Sequence, residues 1–230
     1  MAANRIILRD INQCIYCHTK EGKLTQEHIV PFGLNGEHIL LHASCSKCAA
    51  ITSKIELSVL KETFIAARKH LNLKSRRNKA WEKAEDVFST LIFPITEPPA
   101  YLTNKAYASG VNVKGLQIIP LSDVKTKGSV TNVRGNDFER MLAKIGLGFA
   151  IGKFGIDAFE SFYVLPAILG LRDDIGRWVG TVEAEKPNDI ETIYVVDIQN
   201  SNDEIICRIR LFSMFIVPEY MVVVGKLKCK

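Results

Sequence analysis

The sequence predicts an α+β protein: a zinc-stabilised N-terminal module, then a mixed α+β domain with antiparallel strands. Three observations carry this. Two Cys-x-x-Cys pairs bracket a strand–loop–strand stretch, a helical apolar spacing follows the second pair, and the second half alternates between helical and strand-like apolar runs. In order, Cys14-Ile15-Tyr16-Cys17 forms a tight knuckle. Leu24-Thr25-Gln26-Glu27-His28-Ile29-Val30-Pro31 reads as a strand closing on proline. Phe32 to Gly36 is a turn-rich loop and His38 to His42 the return strand. Cys45-Ser46-Lys47-Cys48 opens a helix through Ile51, Ile55, Val59 and Leu60 that runs to about residue 72.

The module is placed at residues 1–75 and the second domain at 76–230, with the loop at Pro94 and Glu97-Pro98-Pro99 as another position for the boundary. Trp81 and Phe88 are expected to pack the intervening stretch back onto the second domain. There, strands are expected at 111–119 and 130–133. A helix capped by Asn136 carries Met141, Leu142, Ile145 and Phe149, and a second helix is expected over 157–169, closing at Gly170. Strands follow at 192–198, 204–212 and 221–224. No internal repeat, glycine-rich phosphate loop or catalytic-triad pattern is present, and the role of residues 76–230 is not legible.

The composition, 47% hydrophobic and 24% charged over 230 residues, is that of a globular chain and excludes collagen-like and largely disordered classes. The longest apolar runs are far too short to span a bilayer, and residues 1–10 lack signal-peptide character, so a soluble, cytoplasmic protein with no membrane partner is expected. The net charge of +5 is mild, but residues 51–85 alone contribute +5, the rest of the chain summing to zero. A basic surplus on one segment is how an electrostatic footprint for phosphate looks. Lys54, Lys61, Arg68, Lys69, Lys74, Arg76 and Arg77 are therefore the candidate nucleic-acid contacts.

Four of the six cysteines fall in the two pairs, with 27 residues between them. In a reducing compartment this spacing points to tetrahedral zinc held by Cys14, Cys17, Cys45 and Cys48, a saturated and therefore structural site. Cys207 lies in an alternating run and is expected to be a buried strand residue. Any chemistry must lie between the pairs, where four of the five histidines (His18, His28, His38, His42) occur.

Cys14 and Cys17, the run Glu27-His28-Ile29-Val30-Pro31, and Cys45 with Cys48 at a helix entrance together resemble the HNH endonucleases, a ββα-metal family with a treble-clef-like fold. The resemblance covers about residues 12–60. It implies hydrolysis of phosphodiester bonds in DNA, with His28 as the general base on water and Glu27 helping to hold a catalytic Mg²⁺ or Mn²⁺, and DNA or RNA as the partner. Where the family usually has Asn on the second strand this chain has Leu40, and His42 is the chosen partner or second ligand. Where it has His or Asn after the second cysteine pair this chain has Ala49, which leaves Glu56 as the helix-side ligand. Because of Ala49, the alternative is a catalytically inactive, zinc-stabilised nucleic-acid-binding module. A third class, a zinc-dependent interaction protein, leaves the Glu27-His28 pair and the basic segment without a role.

Overall fold

The computed structural model describes residues 5–73, 112–113, 116–117, 119–120, 135–182, 192–212 and 219–229. The candidate contacts Lys74, Arg76 and Arg77, the expected strand at 130–133, Trp81, Phe88 and the proline loop lie outside them.

The N-terminal part is a small mixed sheet with one long helix. Strands β1 (Ile6–Asp10), β2 (Leu24–His28) and β3 (His38–Cys45) lie in the order β1-β3-β2, β1 parallel and β2 antiparallel to β3. Between β2 and β3 the partners jump from Thr25–Ser44 to Glu27–Leu40, a bulge in which His42 takes the left-handed conformation at φ 46°. Helix α1 (Ser46–Glu62) follows and buries Cys48, Thr52, Ile55 and Val59 along one stripe. It stops at Thr63-Phe64, where Phe64 turns inward onto Phe138 and Phe212, and the short α2 (Ile65–His70) comes next. The expected single helix to residue 72 is thus two.

The remainder is built on α3 (Gly135–Phe154) and an antiparallel sheet. The short strands β4 (Asn112–Val113) and β5 (Leu116–Gln117) pair with each other. β6 (Ile119–Pro120), β8 (Val179–Val182), β11 (Glu219–Leu227), β10 (Glu204–Leu211) and β9 (Tyr194–Ser201) form the sheet in that order, with β7 (Phe159–Phe162) also on β11. The helix expected over 157–169 is instead a 3₁₀ turn, β7 and the four-residue α4 (Leu165–Ile168). Phe159 and Phe162 stack at 4.6 Å while the strand between them pairs with Gly225–Leu227, and Pro166 admits only the start of a helix. No described helix is long and apolar enough to cross a membrane.

Helix α3 lies between the two sheets, and its small residues set the spacing. A Cβ on Gly146 would stand 3.0 Å from Val222 of β11, whereas one on Gly148 would stand 2.9 Å from Ile29 and one on Gly152 2.8 Å from Leu8. Lys144, Gly148 and Gly152 are spaced four apart and share the face toward the N-terminal sheet. Arg9 of β1 donates to the carbonyls of Gly152 and Lys153, meeting acceptors that the helix end leaves open. One cluster of buried side chains runs from Cys14, Ile15 and Ile29 through Met141, Leu142 and Ile151 to Val222 and Val224.

Gly148→Val should lower stability by roughly 1–3 kcal/mol, because the branched side chain has no room against Ile29; thermal unfolding measures it. Burial, and secondarily Asp173, pushes the Glu139 carboxyl up from its ordinary 4.5 to about 7. A group that holds its proton more tightly when folded loses stabilising effect as pH rises through that window. Glu139→Gln should therefore remove a decline of about 1–3 kcal/mol between pH 4.5 and 7, read as Tm against pH.

Candidate metal centre and basic helix face

The cysteine site is assembled by backbone hydrogen bonds before any ion is considered. His18 N–H donates to the Cys14 carbonyl and Cys14 N–H to that of Thr19, both at 2.9 Å, closing the knuckle with His18 at φ 60°. Gln13 and Ile15 N–H donate to His42 and Ala43, which docks the knuckle against β3. Cys45 ends β3 and Cys48 lies in the first turn of α1, so the second pair straddles the helix N-terminus. The four sulfurs all lie within 4.8 Å of one another, and Cys17 Sγ is 3.7 Å from Cys45 Sγ. Tetrahedral Zn–S bonds of about 2.3 Å require sulfurs about 3.8 Å apart, so the donors suit an ion such as zinc. Burial raises the Cys45 thiol, but the Cys48 backbone N–H and the neighbouring thiols outweigh it and bring the group down to about 7. Burial raises Cys14 and Cys48. Cys207 is a buried residue of β10, its thiol against the Gly146 carbonyl at 3.3 Å.

Glu27 and Glu56 do converge, as the resemblance implies for a shared cation. The cation between them is Lys144. Its Nζ lies 2.7 Å from Glu27 Oε1 and 2.8 Å from Glu56 Oε1, and it donates to the carbonyls of His28 and, at 3.3 Å, Ile29. The Lys144 side chain is 1% exposed. Burial alone would lower its pKa, but the two carboxylates outweigh that and hold the ammonium above the ordinary lysine range. Tyr16 is buried beside the cage; burial and then the charges of Glu27 and Glu56 push its phenol well up, so it stays protonated. With Lys144 seated, the residues expected to bind Mg²⁺ or Mn²⁺ do not fit that ion.

The other candidates lie elsewhere. Glu27 is buried while Gln26 and His28 share the opposite face of β2, their side chains 3.3 Å apart, so the strand alternation divides the Glu27-His28 pair. The half-buried His28 ring meets Phe32 edge-on. His42 is exposed and pairs with Asp10 at 2.8 Å. His38 donates to or accepts from Tyr194 Oη at 2.8 Å and packs on Phe149, a structural contact to the larger sheet.

Of the basic candidates, Lys54 and Lys61 are exposed on α1, in line with Lys47 at intervals of seven residues, about 10 Å along the axis. Arg68 is 8% exposed and donates to the carbonyls of Gly33 and Leu60, so it clamps the loop after β2 to the end of α1 and does not face solvent. Lys69 lies on α2. The sequence reading missed Lys144; the available signal was one lysine inside the apolar run Met141 to Ile151. No protein-family model, curated protein or solved structure matches the chain to a significant degree.

Cys45→Ser should abolish metal binding at the four-cysteine site and unfold at least the hairpin, since metal binding and folding are one event in small sites of this kind. Circular dichroism together with metal analysis measures both losses.

Proposed function

We propose that this chain binds nucleic acid through a zinc-braced module, the exposed helix α1 lying along a phosphate backbone. The observation that carries the reading is the row Lys47, Lys54 and Lys61 on the solvent face of the helix that begins inside the cysteine site. The physical chain is short. Zinc would join the knuckle to the start of α1, fixing the helix relative to the hairpin. Buried Cys48, Thr52, Ile55 and Val59 turn the apolar side of α1 inward, which leaves the lysines in water. An ammonium near a phosphate releases a condensed counterion, and several in a row add up to binding that is strong at low salt and indifferent to sequence. DNA is the expected partner, with RNA presenting the same backbone charge.

A second reading retains hydrolysis of the phosphodiester bond, as in the HNH endonucleases. It is favoured by the half-buried imidazole of His28 at the end of β2, the side-chain type that most often serves as a general base. A catalytic Mg²⁺ or Mn²⁺ would have to be held outside the Glu27–Glu56 cage, where Lys144 already sits.

Binding to duplex DNA measured against salt concentration tests the first reading. Each of Lys47→Ala, Lys54→Ala and Lys61→Ala should reduce the slope of log affinity on log salt by about 0.9, and the triple variant should bind weakly at every salt concentration. A slope unchanged in the triple variant refutes this face as the contact. Plasmid nicking with Mg²⁺ or Mn²⁺ decides the second. Cleavage lost in His28→Ala with binding retained establishes the enzyme, and binding without cleavage by the native chain rejects it.

A further inference from the structure

We propose that the face of the larger sheet away from α3 carries an oxyanion site built on Arg208 and Arg210, and that its ligand is a free or terminal phosphate group. The cluster stands apart from the lysine row on α1, so neither reading given above bears on it.

Strand alternation places the cluster. Gly146 of α3 comes close to Val222 of β11 and Cys207 of β10, so those two side chains face the helix. Their neighbours along each strand point the other way. Arg208 and Arg210 of β10 and Glu219 of β11 therefore share the outer face with Ile206, Met221 and Val223, which form a buried cluster separate from the main core.

Charge is the first argument. Arg208 donates to Glu219 Oε2 through Nε, at 3.1 Å, and through Nη2, while Arg210 donates to Glu219 Oε1 through Nη2. One carboxylate serves two guanidiniums, which leaves a positive charge over. Arginine does not give up its proton, so titration cannot remove the surplus. The flanking strands do not balance it either. In the register, Arg210 faces Val195 of β9 and Glu219 faces Val182 of β8, both apolar. Arg208 faces Asp197 of β9, which is exposed, accepts from Gln199 at 3.2 Å and forms no ion pair with either arginine among the described residues. A buried charge without a counter-ion is strongly unfavourable, so the cluster has reason to recruit an anion.

Unfilled donors are the second. Nε and Nη1 of Arg210 are shut away from solvent and have no acceptor. Nη1 of Arg208 has none among the described residues, since its other two nitrogens are the ones that reach Glu219. The pair thus offers five N–H groups, three on Arg210 and two on Arg208. A carboxylate presents only about four acceptor positions on two oxygens. A free or terminal phosphate has more oxygens, spread widely enough for two side chains whose strand positions are about 7 Å apart.

Access is the third. The Arg208 side chain is 31% exposed and that of Arg210 10%, and β10 lies one strand in from the sheet edge at β9. A ligand arriving over that edge meets Arg208 at the solvent side and Arg210 beneath it.

The test uses the native, zinc-loaded chain. Calorimetric titration with inorganic phosphate should give one ion per chain, and Tm should rise with phosphate concentration as linkage requires. A crystal grown with phosphate should hold it on Arg208 and Arg210. Arg210→Met and Arg208→Gln each leave Glu219 one guanidinium partner, and each should weaken phosphate binding by about tenfold or more. A short oligonucleotide with and without a 5′-phosphate then identifies the source. A clear preference for the phosphorylated strand assigns the site to nucleic-acid ends, whereas equal affinity, with inorganic phosphate still bound, assigns it to free phosphate. No uptake at millimolar phosphate overturns the proposal. So does an adventitious ion only, seated away from the two arginines in the crystal, or an affinity unchanged in either folded variant. If neither variant folds, the position of phosphate in the native crystal decides.

Discussion

The contact on which the arrangement depends is the buried ammonium of Lys144 between two carboxylates. Glu27 belongs to the strand end, Glu56 to α1 and Lys144 to α3, so one nitrogen joins three elements. Burying three charges is costly, and hydrocarbon of the same volume would often hold a core as firmly. What the charges add is definition. Only one register of α3 against the hairpin and α1 puts the lysine on both acids, and a shift of one residue would take it off them. The glycines at 148 and 152 allow the approach, and the ammonium fixes its position along the helix.

The same helix α1 serves two environments. Its inner side supplies Cys48 to the four-cysteine cluster, Glu56 to the cage and Ile55 and Val59 to the core, while its outer side carries a row of lysines. The sulfur site and the ammonium cage act on it from different ends: one secures the first turn, the other the middle. A surface helix held at two points presents its charges in a fixed line, so that little backbone freedom would be lost on binding under the nucleic-acid reading proposed above.

Much of this was legible in the residues, and the parts that were not have identifiable causes. The paired cysteine spacing announced the sulfur cluster, because a metal site needs donors at short fixed intervals. The strand Glu204–Leu211 was announced by the alternating run Ile205 to Ile209, and the long helix by Met141, Leu142 and Ile145. The strand Ile6–Asp10 went unseen: it is largely exposed, carries no alternating buried face, and is made a strand by its pairing with β3. The stretch 157–169 looked helical because it is rich in apolar residues, yet aromatic stacking and pairing with β11 decide its form. Net charge misled at Arg68, since a count of basic residues does not separate a guanidinium facing water from one spent on backbone carbonyls. It also gave no weight to Lys144, whose meaning arises only when residues far apart in the chain meet.

That distance has a kinetic side. The carbonyls that receive Lys144 stand 115 and 116 residues before it, whereas the knuckle is closed within five residues. Ordering a chain over such a separation is slow relative to closing a local turn. The knuckle is therefore set to form first and the central helix to dock last, onto a hairpin and an α1 whose acids, Glu27 and Glu56, are still wet. The pace of refolding is thus expected to be set by the seating of α3 and not by closure of the knuckle.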